Sequence, residues 1–127
     1  MTEALTDLSF TEGALSIEAV YDGTVIRLTF VGEATITDPI ATLESIFEAA
    51  HREALRRLVD AVLLDVKQLE YMNSSCFKAF ISWIDLIRQL EPEQQYRLRF
   101  VSNPAVTWQG RTLKSLQRFA AELVRLD

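Results

Sequence analysis

The residues best placed to do chemistry lie together. Asn73, Ser74, Ser75 and Cys76 follow the nearly uncharged run V-L-L-D-V and open an amphipathic stretch. The apolar run has the composition of a buried central strand, and a short polar turn leads from it to the serines, where a helix begins. The first amides of a helix have no partner within it, and the dipole there is positive, so an anion is favoured at that point. Two readings of the serines stand side by side: they cap the helix, or one of them receives a phosphate and acts as a switch. With Asn73 as N-cap, Ser74 takes the first helical position and its hydroxyl is free to face solvent. With Ser74 as N-cap, its oxygen bonds the amide of Cys76 or Phe77 instead. Cys76 is either a reactive thiol at a positive helix end or a small buried residue.

Further along this helix, Lys78, Ser82 and Trp83 fall outside the inward stripe. Tryptophan there is a candidate interface anchor; the alternative is that it covers the edge of the core. Asp65 and His51 are the remaining groups suited to acid–base work. No spacing brings a nucleophile, a base and an orienting group together, so no catalytic residue is expected. No glycine-rich phosphate loop or metal-ligand cluster points to a cofactor or a metal.

The elements that must position these groups follow from periodicity. Leu15, Ile17, Ala19 and Tyr21 alternate with polar neighbours, as do Ile26, Leu28 and Phe30, and Asp22-Gly23 between them signals a hairpin with a two-residue turn. Gly32 ends the alternation, and Leu8 and Phe10 mark a short edge strand. Asp38-Pro39 opens the first helix, whose stripe is Ile36, Ile40, Leu43, Phe47, Ala50 and Ala54. His51, Arg52, Arg56 and Arg57 crowd its end, either as cations facing the negative pole of the dipole or as a binding patch. Residues 61–66 form a strand covered on both faces. The second helix spans about 74–90, with Phe77, Phe80, Ile81, Ile84 and Ile87 inward, and Glu91-Pro92-Glu93 stops it. Tyr96, Leu98 and Phe100 make a further strand. After Asn103-Pro104 comes a last helix with Leu113, Leu116, Ala120 and Leu123 on one side and Trp108 and Gly110 shaping its start. The order β-β-α-β-α-β-α predicts an α/β fold: a mixed sheet of about four to five strands with three helices packed on it.

The chain has 127 residues, matching one domain spanning 1–127, with 49% hydrophobic and 24% charged residues. A single cysteine excludes an internal disulfide and fits a reducing, cytoplasmic setting. The acidic N-terminus lacks the features of a signal peptide, and no stretch approaches the ~20 apolar residues of a membrane span. The net charge of −5 repels phosphate backbones and argues against nucleic acid as a partner.

The segment L-D-V-K-Q-L-E-Y-M-N-S-S resembles the signature of STAS domains, the fold of bacterial anti-sigma-factor antagonists. V-G-E-A-T-I-T-D-P-I-A-T-L and S-N-P-A-V are similar to two further family segments, in order, so that the resemblance covers about residues 14–106. T-W-Q-G-R-T-L-K-S-L-Q-R-F does not match. The resemblance implies a non-enzymatic module acting in signal transduction and transcription regulation through protein–protein contacts. It implies phosphorylation at Ser74, with Ser75 the next hydroxyl, by a serine kinase that uses ATP and is also the anti-sigma factor. The contact surface it implies is Asn73, Ser74, Ser75, Cys76, Lys78, Ser82 and Trp83. Asn73 stands where the family has Asp, and Cys76 and Lys78 where it has Gly. A scaffold or transporter-associated subunit that is not phosphorylated is the alternative; a homodimer is compatible with either.

Overall fold

The structure, a computed structural model, describes residues 2–34 and 39–127 and, for residues 39–41, 74 and 75, the backbone alone. Strands β1 (Glu3–Ala4), β2 (Phe10–Glu12), β3 (Leu15–Tyr21) and β4 (Ile26–Ala34) precede helix α1 (Pro39–Arg57). Strand β5 (Ala61–Met72), helix α2 (Ser74–Arg88), strand β6 (Arg97–Val101), helix α3 (Thr107–Phe119) and strand β7 (Val124–Leu126) complete the chain. One mixed sheet runs in the order β1-β3-β4-β5-β6-β7, with β2 also pairing β3. The pairs made by β3 are antiparallel, and β4-β5, β5-β6 and β6-β7 are parallel. No helix among the described residues is long and apolar enough to cross a membrane.

The α/β reading and its three helices hold, and the sheet is larger than expected. β1, β2 and β7 are two or three residues long, too short to show a period-two pattern in sequence. Leu8 lies in a 3-10 turn before β2, so of the expected edge strand only Phe10 is strand. α3 stops at Phe119; Ala120 is its C-cap, and buried Leu123 belongs to the link into β7. The hairpin loop holds four residues rather than two. Asp22 bends it as an acceptor: its Oδ1 takes the amides of Thr24 and Val25 at 2.9 Å and the Thr24 hydroxyl at 2.8 Å. These bonds, those to Val25 and Thr24 foremost, lower its carboxyl pKa to about 2.

The strands owe their burial to alternation. Leu15, Ile17 and Ala19 of β3 and Ile26, Leu28 and Phe30 of β4 face the core, while residues 61–64 of β5 are all buried, as for a strand covered on both sides. Gly32 sits at φ +102° in β4, and a Cβ there would lie 1.8 Å from the Ala14 carbonyl oxygen. Only glycine permits that approach. On α1 the stripe Leu43, Phe47, Ala50 and Ala54 is buried as expected; Ile36 and Asp38, the expected N-cap, lie outside the described residues. Two of the cations at the end of α1, Arg56 and Arg57, are used internally. Arg57 bonds Glu53 at 2.8 Å and Glu3 at 2.7 Å and lies over the Tyr21 ring, tying β1 to the helix, and Arg56 also pairs with Glu53.

Candidate functional site

β5 delivers the chain to the candidate site without the expected polar turn: the strand continues through Met72 to Asn73. Its polar second half remains strand because it absorbs two register shifts against β4, between Thr29 and Val31 and between Gly32 and Glu33. Such bulges bend a strand and leave backbone groups without ladder partners. β6 pairs with β5 only as far as Asp65, so the carbonyls beyond that point need other donors. They find them in side chains at the start of α3. Gln109, fully buried, donates through Nε2 to the carbonyls of Val66 (2.6 Å) and Leu69 (3.0 Å), while its Oε1 accepts the Asn103 amide at 2.8 Å. Trp108 donates from Nε1 to the Glu70 carbonyl at 2.9 Å, and Asn103 Nδ2 reaches that of Lys67 at 3.4 Å. The last stretch of strand before the serines is thus clasped by the start of α3 and the loop leading into it. Sequence reasoning missed Gln109, although its place in the stripe 109-113-116 put a polar side chain on an inward face.

At the end of β5, the Asn73 amide donates to the Ala34 carbonyl at 3.3 Å, and Asn73 itself is extended, with φ −71° and ψ 157°. It is therefore the N-cap residue, and Ser74 is the first residue of α2. The Asn73 carbonyl accepts the Cys76 amide at 2.9 Å, but its side chain caps no amide of the first turn; Oδ1 faces the Cys76 thiol at 3.9 Å. The side chains of Ser74 and Ser75, and with them the expectation that the Ser74 hydroxyl faces solvent, lie outside the described residues. Lys78 and Ser82 are exposed, and Ser82 Oγ donates to Glu44 Oε1 at 3.2 Å. Ser74, Lys78 and Ser82 follow at spacings of four, which stacks them along one side of α2.

Two residues of the expected contact surface, Cys76 and Trp83, are corrected to core residues, and for Cys76 the reading as a small buried residue holds. Cys76 is fully buried, and burial pushes its thiol above the ordinary range, against the opposing pull of its bond to Asn73. It is a core residue rather than a reactive thiol or a contact. Trp83 is also fully buried: its ring stacks on Phe47 with centroids 4.6 Å apart, and Nε1 donates to the Tyr96 hydroxyl at 2.7 Å. The inward stripe of α2 is Cys76, Ala79, Phe80, Trp83, Ile84 and Ile87, with Phe77 and Ile81 half-buried at its edge. It is rotated by about one residue from the expected face, because α1 packs beside α2 as well as the sheet beneath it.

His51 and Asp65 do not form an acid–base pair. Asp65 accepts the amide of Lys67 at 3.1 Å and faces its ammonium at 3.8 Å. His51 Nδ1 lies 2.6 Å from the Tyr96 hydroxyl. That oxygen also accepts the Trp83 N–H, and with Nδ1 of a neutral His51 unprotonated the Tyr96 hydroxyl donates its own proton to it. Burial, and then the Arg52 charge, hold the His51 pKa below 6.5, and burial holds the Tyr96 phenol protonated. Because the folded state binds a proton less readily than the unfolded chain, this contribution to stability is complete above pH 6.5 and fades as pH falls through the folded pKa. Between pH 7.5 and 5, the urea midpoint should fall further in the native protein than in His51→Gln. Equal falls would show that His51 does not sense pH.

Against solved structures, the chain matches the crystal structure of an anti-sigma factor antagonist from Mycobacterium paratuberculosis with a TM-score of 0.54 and 16% identity, over 98% of this chain and 86% of that one. At that identity the likeness is one of fold, and it bears out the STAS-type architecture. No protein-family profile matches the sequence, and neither does any curated protein.

Proposed function

We propose that this protein is a cytoplasmic regulatory module that works by binding another protein, and that phosphorylation of Ser74 switches the contact. Its partner would be a serine kinase of the anti-sigma-factor type, which transfers the terminal phosphoryl group of ATP to the Ser74 oxygen, releasing ADP and the hydroxyl proton. The observation that carries this reading is the position of Ser74: first residue of α2, after an extended N-cap whose side chain leaves the amides of the first turn uncapped. A phosphate there adds about −1.5 to −2 charge and is favoured by the dipole. Lys78, one turn on and exposed, offers a counter-charge. The helix should therefore persist, and the effect falls on whatever docks over it. The contact surface comprises Asn73, Ser74, Ser75, Lys78 and Ser82, supported from beneath by Cys76 and Trp83.

With purified kinase partner and ATP, mass spectrometry should find the phosphate on Ser74. Ser74→Asp should weaken binding about 100-fold, which is about 2.7 kcal/mol, through like-charge apposition; Ser74→Ala should bind as the native chain does. An unmodified Ser74, together with unchanged binding of the aspartate variant, would leave the alternative of a constitutive scaffold. Asn73, which lacks the charge of the signature aspartate, is the feature that favours that alternative.

A further inference from the structure

The C-terminal quarter of the chain differs in charge from the rest. Residues 97–127 carry six Lys and Arg against two Asp and Glu, a net of +4, while residues 1–96 carry seven against sixteen, a net of −9. α3 itself, T-W-Q-G-R-T-L-K-S-L-Q-R-F, contains no acidic residue. Arg111, Lys114 and Arg118 are exposed on one side of it, spaced by three and four residues, and none makes an ion pair among the described residues. They form a line of charge about 10 Å long. At one end, Thr107, Trp108, Arg111 and Thr112 line an open recess of about 360 Å³. At the other end, Arg88 lies 4.7 Å from the centre of the half-exposed Phe119 ring and is itself paired with Glu122 at 3.0 Å.

We infer that the outer face of α3 is a docking surface for a compact acidic segment of a partner protein, independent of the Ser74 switch. Charge complementarity selects this occupant among polyanions. A nucleic acid would gain only three phosphate contacts and would meet the field of a strongly acidic remainder. An anionic membrane would gain no insertion, because the apolar side of α3, Leu113 and Leu116, is already buried in the core. A short acidic segment matches the length of the patch, and the recess beside Trp108 can take one side chain flanking its carboxylates.

The test uses the full chain and a fluorescein-labelled octaglutamate peptide, read by anisotropy, with a 20-base-pair DNA duplex and phosphatidylserine vesicles in parallel. The peptide should bind at about 0.05 M salt and weaken at least about tenfold by about 0.3 M. Arg111→Glu/Lys114→Glu/Arg118→Glu should lose at least about tenfold in affinity while melting as the native chain does; if it melts early, Arg111→Gln/Lys114→Gln/Arg118→Gln takes its place. Equal peptide binding by native and variant chains would overturn the inference, as would duplex or vesicle binding tighter than peptide binding. Self-association in sedimentation equilibrium that the charge reversal abolishes would make the occupant a second copy of this chain and overturn the proposed partner.

Discussion

Trp83→Ala should lower the unfolding free energy by about 3–5 kcal/mol, the cost of an unfilled cavity where a buried tryptophan stood. Stability of a domain this size is about 5–15 kcal/mol, so the melting temperature should fall by about 10–20 °C. The loss has two parts. The indole leaves the Phe47 ring without its stacking partner, and it takes the donor from the Tyr96 hydroxyl in a site without solvent. Trp83→Phe separates them by keeping an aromatic ring while removing the N–H, and should cost about 1–3 kcal/mol. Combined with Tyr96→Phe it should show non-additivity, because both substitutions break the Trp83–Tyr96 bond, although Tyr96→Phe loses the His51 contact as well. A Trp83→Ala variant within about 0.5 kcal/mol of the native chain in urea unfolding would mean that the side chain is at the surface after all.

Gln109→Leu should cost about 3 kcal/mol or more, although leucine is close in size and more apolar. The amide satisfies three backbone groups at once, and each buried group left unpaired costs about 1–3 kcal/mol. Gln109→Glu makes the same point through pH. It keeps the acceptor for the Asn103 amide but turns a carboxylate toward two carbonyls, so its folded pKa must rise. Its stability is then best below the ordinary glutamate value of about 4.3 and is lost as pH rises through the folded pKa. Amide exchange at Asn103 should accelerate in the leucine variant well beyond the average of β5. Unchanged exchange there, with stability near native, would show that the clasp is dispensable.

Both effects sit beneath the candidate switch. Asn73 is presented by the end of a strand that has lost its β6 neighbour beyond Asp65, and that end is held by α3 on one side and by β4 and the Ala34 carbonyl on the other. A partner docking over Ser74, as proposed, would meet the end of a hydrogen-bonded strand rather than a loop. Two of the holding groups, Trp108 and Gln109, come from the segment T-W-Q-G-R-T-L-K-S-L-Q-R-F at the start of α3.

Much of this was legible from residue order. Alternation at Leu15 to Phe30 and the apolar run at residues 61–64 specify the central strands, because a period of two, or none at all, reports directly which faces are covered. The serines at a strand-to-helix junction are a local signal, and α2 begins at Ser74 as read. Trp83 was misplaced for a geometric reason: a helix packed against both a sheet and another helix buries an arc wider than one stripe, and the sequence does not say where its neighbours stand. The bulges in β5, the donors that satisfy them and the strand that closes the sheet after α3 were beyond reach for the same reason. Residue types and spacing by themselves determined which segments become strand or helix and where the hydroxyls fall. Tertiary structure alone decided which tryptophan is buried and how one buried glutamine holds the end of β5, since hydrogen bonds between residues about forty positions apart depend on topology, not on periodicity.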